Sequence, residues 1–178
     1  NAVIVSAKFR HRFYQQQLLV TCNFLQAMFV HLRQLYWIVA HPCMQIETKK
    51  ARDLLPSSIP IADAIAQSGN LAALLQGLAL GDSELISASL HDHYAEPVRA
   101  KLIPGFGQVK IAALAAQALG FSISGSGPSV FAIADDKVTA EAIGVAIKQA
   151  FQKYASLDSH IYISTVNLRG AHILEEAT

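Results

Sequence analysis

Gly120-Phe121-Ser122-Ile123-Ser124-Gly125-Ser126-Gly127-Pro128-Ser129-Val130-Phe131-Ala132-Ile133-Ala134 is the stretch from which the fold of this chain is read. Two short apolar runs flank a Ser-Gly-Ser-Gly-Pro loop, which predicts two strands joined by a glycine turn. Gly125 and Gly127 have no side chain and can take positive φ, so backbone N–H groups in the loop can turn toward one anion. That is the chemistry of a phosphate or carboxylate contact; an ordinary glycine hairpin also accounts for the residues. A Walker A loop is excluded, because no Gly-Lys-Ser/Thr follows. A dinucleotide fingerprint is excluded too, because Val130 stands where its third glycine belongs.

Outward from the hairpin, Ile143, Ile147, Ala150, Phe151 and Tyr154 recur at helical spacing, which predicts an amphipathic helix over residues 137–154. Alternation predicts a strand over 161–166, and residues 170–174 would form one more. Upstream, the Ala-, Leu- and Ile-rich residues 106–119 predict a helix with Gly120 as its C-terminal cap. The run Leu-Tyr-Trp-Ile-Val-Ala at 35–40 predicts a buried strand ended by His41-Pro42. Residues 47–55 predict a short helix stopped by Pro56. Residues 61–80 predict a longer one, interrupted at Ser68-Gly69-Asn70 and closed by Gly81. Asp82 or Ser83 would cap a third helix running to about His93, and Pro97 and Pro104 would bracket a loop holding Arg99. The order strand, helices, hairpin, helix, strand predicts an α+β sandwich, with helices packed on one face of a mostly antiparallel sheet.

The 178 residues are 52% apolar and only 15% charged, enough to bury a core and far from a disordered composition. A net charge of +1 with no basic stripe argues against a nucleic-acid partner. Cys22 and Cys43 lack metal or framework spacing and read as free thiols in a reducing cytoplasm. The composition breaks near residue 35. Residues 1–46 hold no Asp or Glu, and all 13 acids follow from Glu47 onward. The first glycine is Gly69, and the chain begins at Asn1. The apolar run from Leu18 to Leu32 is broken by Asn23, Gln26 and His31 and is too short to span a bilayer, so no membrane role is expected.

Candidate chemistry gathers on few residues. Thr48 and Arg52 stand four apart, on one helical face, where a hydroxyl and a guanidinium could grip a carboxylate; a solvated basic face is the plain alternative. Arg99 follows Pro97, which would stiffen its loop; the alternative is a surface arginine beside Glu96. His91-Asp92-His93 gives no metal site, since histidines two apart on a helix diverge and no third ligand is evident.

Taken in order, Ala40-His41-Pro42, Glu47-Thr48-x-x-Ala51-Arg52, Gln67-Ser68-Gly69-Asn70-Leu71-Ala72, Gly81-Asp82, Glu96-Pro97-Val98-Arg99, Leu102-Ile103-Pro104-Gly105-Phe106 and the glycine loop resemble the C-terminal portion of bacterial homoserine kinases, members of the GHMP kinase superfamily. The glycine loop alone resembles only the superfamily's third motif; Glu-Pro-x-Arg and Leu-Ile-Pro-Gly-Phe carry the narrower likeness. The resemblance covers about residues 35–174. It implies a ferredoxin-like sandwich over residues 35–178 and an atypical segment at 1–34. It also implies a cytoplasmic enzyme of threonine biosynthesis that phosphorylates the side-chain hydroxyl of L-homoserine with ATP and Mg²⁺, with a homodimer left open.

By the same resemblance, Thr48, Arg52 and Arg99 would bind the substrate, and Ser124, Gly125, Ser126 and Gly127 would shape the phosphate region. Two guanidinium groups on the α-carboxylate would leave the hydroxyl facing the γ-phosphate. The family's Pro-x-x-x-Gly-Leu-Gly-Ser-Ser phosphate loop and its magnesium-binding acid are absent from this sequence, as is the glycine-rich stretch expected before Leu35. ATP and Mg²⁺ would therefore be held mainly by an N-terminal domain outside this sequence. The expectation is a truncated kinase with an altered or frameshifted N-terminal stretch, inactive alone. Another small-molecule kinase of the superfamily and a non-catalytic α+β assembly module are the alternatives.

Overall fold

The computed structural model describes residues 35–167. The elements are β1 (Tyr36–Pro42), α1 (Thr48–Asp53), α2 (Ile61–Leu80), α3 (Ser83–Ser89), α4 (Glu96–Arg99), a 3-10 turn (Ala100–Leu102), α5 (Phe106–Ala115), β2 (Gly120–Ile123), β3 (Val130–Ala134), α6 (Lys137–Ala155) and β4 (Ser159–Ser164). The four strands form one sheet in the order β2-β3-β1-β4, every pair antiparallel. β1 lies between β3 and β4, with Ile38 opposite Ala132 on one side and Ile163 on the other.

Strand alternation sorts the core. Ile38, Ala40, Val130, Ala132 and Ala134 are buried and join Phe106, Val109 and Ala113 of α5 and Ile143, Ile147 and Phe151 of α6 in the main cluster. The opposite side chains, Trp37, Phe131 and Ile133, join a smaller cluster with Leu74 and Leu78 of α2 and Ile86 of α3. The α+β antiparallel architecture expected from the sequence is the one observed, and α2 and α3 add a helical layer over the second face. Trp37 and Phe131 stack across β1 and β3 with centroids 6.0 Å apart.

Several boundaries differ from expectation for local reasons. Helix α2 runs unbroken through Ser68-Gly69-Asn70. The Ser68 hydroxyl donates to the Ala64 carbonyl, and the Asn70 amide donates to the His91 carbonyl, so both polar side chains are absorbed. Asp82 caps α3 by accepting from Leu85 N–H, but the helix stops at Ser89 rather than His93. Helix α5 ends at Ala115, four residues early, because Gln117 turns left-handed at φ 70°; Gly120 starts β2 and is no cap. The stretch holding Arg99 is a helical turn rather than a loop, since Pro97 sits in the first turn, where its missing N–H costs nothing. The strand expected at 170–174 and the atypical segment at 1–34 lie outside the described residues.

Asp136 caps α6, accepting 2.6 Å from the Thr139 hydroxyl and 2.9 Å from the Thr139 N–H. These two bonds hold its carboxyl below the usual carboxylate range. The native pKa is the depressed one, so the stabilisation is complete above the unfolded carboxyl pKa of about 3.9 and is lost as pH falls through the lower native value. Asp136→Ala is expected to lower the melting temperature at pH 7, with the gap from wild type closing as the pH drops well below that range. Thermal melts over a pH series check this. A gap that persists unchanged at the acid end would show that the cap is not electrostatic.

Candidate functional site

Three elements meet at the C-terminal end of α1. This helix is only six residues long, and its last carbonyls lack intrahelical partners. Arg99, on α4, supplies one: its Nε donates to the Ala51 carbonyl at 3.2 Å, which also sets a cation at the negative helix end. Its Nη1 donates to the Gly125 carbonyl at 3.0 Å. Arg99 thus ties α1 to the tip of the glycine loop. Two of its five N–H groups are used, which leaves three for a ligand.

The glycine loop spans residues 124–129 between β2 and β3. Gly125 and Gly127 sit at φ 63° and 78°, the left-handed region. At Gly127 a Cβ would also stand 3.2 Å from Ile103, so the Leu-Ile-Pro-Gly-Phe element packs directly under the loop. Ser124 N–H donates to the Ser129 carbonyl and Gly127 N–H to the Ser124 carbonyl. The N–H groups of Gly125 and Ser126 bond no described residue, so the loop tip presents two consecutive free donors. That is the donor pattern of a backbone anion nest. At the loop's far end His41 Nδ1 lies 2.8 Å from the Ser129 hydroxyl and pins it to β1.

Thr48 and Arg52 are both exposed on α1, and Arg52 is the residue after the carbonyl that Arg99 holds. The structure therefore brings Arg99, the end of α1 and the glycine loop together. It does not pair Arg99 with Glu96. The Glu96 carboxylate instead forms an ion pair with Lys110 of α5 and accepts from the Ser122 hydroxyl of β2 at 2.7 Å. Asp92 accepts from the N–H groups of Tyr94, Ala95 and Glu96 at 2.7, 2.9 and 3.1 Å and so caps the turn that carries Arg99.

Lys110 and Ser122 were not singled out from the sequence, and Asp92 and Glu96 entered only as part of a rejected metal pair and as the neighbour of Arg99. An Asp whose carboxylate can accept from the N–H group two residues on is an Asx-turn signal that could have marked Asp92. Among the described residues no three His, Cys, Asp or Glu side chains come together to hold a metal ion; in His91-Asp92-His93 the carboxylate is taken up by this cap, while the His91 carbonyl and the His93 N–H bond to Asn70 and Gln67 of α2. No described helix is long and apolar enough to cross a membrane.

Residues 71–153 match the family described as GHMP kinases C terminal. This is a GHMP kinase C-terminal domain. The domain resembles the homoserine kinase of Chlorobaculum tepidum, 48% identical over 143 residues, which is 80% of this chain and 44% of the relative. It also resembles the homoserine kinase of Xanthomonas campestris, 44% identical over 77% of the chain and 42% of the relative. The crystal structure of homoserine kinase from Cytophaga hutchinsonii superposes with a TM-score of 0.74 at 47% identity, covering 76% of this chain and 42% of that one. The chain therefore spans less than half the length of these relatives. The GHMP kinase C-terminal domain includes all of α3 to β3, and so both Arg99 and the glycine loop.

Proposed function

We propose that this chain supplies the substrate-gripping side of a cytoplasmic homoserine kinase, in which ATP and L-homoserine yield ADP and O-phospho-L-homoserine. The observation that carries the reading is Arg99, fixed between the end of α1 and the tip of the glycine loop with three N–H groups to spare. A guanidinium held at two points is aimed before substrate arrives, so little ordering entropy remains to be lost on binding. Arg99 and Arg52 would take the α-carboxylate, with the Thr48 hydroxyl beside them. The free N–H groups of Gly125 and Ser126 would face phosphate oxygens. The substrate hydroxyl oxygen forms the new bond to the γ-phosphorus, the bond from that phosphorus to the bridging oxygen of ADP breaks, and the hydroxyl proton passes to solvent water. The role of these residues is positioning and charge neutralisation.

Magnesium would neutralise the triphosphate charge when bound. Among the described residues no cluster of acids fits it.

The test is a chimera in which residues 35–178 replace the matching part of the Chlorobaculum tepidum homoserine kinase, assayed for ADP release. L-homoserine is expected to turn over. 3-Aminopropan-1-ol, which lacks only the carboxylate, is expected to fall in kcat/KM by about 100-fold, the scale for a charged group left unpaired. Equal turnover of the two alcohols would sink the carboxylate grip. Turnover of neither, in a folded chimera, would sink the homoserine reading itself.

A further inference from the structure

Helix α4 has four residues, too few to hold an orientation by its own hydrogen bonds. Everything that fixes it comes from outside. Asp92 caps its start. Glu96 and Arg99, three apart and so on one face, reach out from it to the same hairpin. Glu96 grips Ser122 on β2, and Arg99 grips the Gly125 carbonyl in the loop that β2 leads into. The spacing on the helix thus matches the spacing on the hairpin, and the turn is clamped to it at two points.

Lys110 of α5 closes the arrangement from behind, facing a Glu96 side chain that is 12% exposed, while its own is 24% exposed. A carboxylate this sheltered needs both partners, since losing either leaves a largely buried charge short of a bond.

We infer that Glu96 is a positioning residue: through Lys110 and Ser122 it fixes α4, and so holds the Arg99 guanidinium at a set place beside the glycine loop. This rests on reading Arg99 as the carboxylate grip, and it assigns the glutamate of Glu-Pro-x-Arg a part that no contact with substrate requires. It also explains why the acid is not spent on Arg99. A direct pair would cancel the charge the site needs, whereas pairing with Lys110 leaves Arg99 cationic toward a ligand.

The experiment reads Arg99 without any ligand, in the 178-residue chain. The Nε–Hε of Arg99 is bonded to the Ala51 carbonyl and gives its own nitrogen–proton cross-peak, assigned by its loss in Arg99→Lys. In Glu96→Gln that proton is expected to exchange with solvent at least ~10-fold faster, the mark of a locally opened contact, while the amides of α6 keep their protection. An unmoved Arg99 peak with unchanged exchange would overturn the inference. Should Glu96→Gln fail to fold, Ser122→Ala decides, because it removes one partner and buries no new charge. A shifted, faster-exchanging Arg99 peak supports the inference, and an unmoved one overturns it. Because no substrate enters, this result stands apart from the homoserine reading, which the chimera kinetics test.

Discussion

Arg99→Ala, placed in the chimera with the Chlorobaculum tepidum enzyme, is expected to raise KM for L-homoserine by about 100-fold, which corresponds to ~2.7 kcal/mol of lost binding. Arg99 is half-buried and held at two points, so its charge meets the ligand already oriented and partly freed of water. Arg52, exposed at the end of α1, would have to be ordered by the ligand, and its loss is expected to cost only about 10-fold. Arg99→Lys should not restore wild-type KM. An ammonium can serve one carbonyl or the ligand as a point charge, but it cannot span Ala51, Gly125 and a carboxylate at once. Steady-state kinetics over a range of L-homoserine check all three variants. An unchanged KM in Arg99→Ala would reduce this arginine to a structural tie between α1 and the loop.

The hairpin, the central strand and the long last helix were legible because each signal is local. Alternation from Ile38 to Pro42 in β1 matches burial residue by residue, and β3 departs from it at Ile133, which is buried in the second cluster. Ile143, Ile147, Ala150 and Phe151 face the core as their spacing requires, while Tyr154 of the same stripe is exposed. The same locality explains the failures. Ser68-Gly69-Asn70 reads as a helix break until the Ala64 and His91 carbonyls are seen to take the two polar side chains, and His91 is 21 residues from Asn70. Arg99 reads as a loop residue with Glu96 as its neighbour because the sequence offers no hint that Lys110 and Ser122, 14 and 26 residues from Glu96, take that carboxylate. The second hydrophobic face was missed for a similar reason. Helix α2 carries apolar residues around its whole circumference, with Ile61, Ile65 and Leu71 exposed, so no stripe points to the sheet.

Gly120 shows the same limit and gives the sharpest stability test. In sequence it reads as a helix cap, where its value would be a left-handed backbone. In the fold its value is the absence of a side chain. A Cβ there would stand 2.2 Å from Leu90 Cδ2, 2.8 Å from Leu90 Cβ and 3.0 Å from Leu90 Cγ. The Cδ2 and Cγ contacts can be relieved by a rotamer change, but the Cβ contact cannot, because it follows the backbone at the end of α3. Gly120→Ala must therefore part β2 from the α3 end or displace Leu90 from the cluster around Trp37 and Ile133, and it is expected to cost about 2–3 kcal/mol. Gly120→Val should cost more, since its extra methyls have nowhere to go.

Urea denaturation of the 178-residue chain measures both, and Leu90→Ala turns the comparison into a cycle. The smaller residue clears the Cγ and Cδ2 contacts but leaves Cβ in place, so rescue should be partial. The double variant is expected to lose about 1 kcal/mol less than the sum of the single losses. Strict additivity would mean that Gly120 and Leu90 do not meet as described, and the packing of the hairpin against the α2–α3 layer would have to be redrawn.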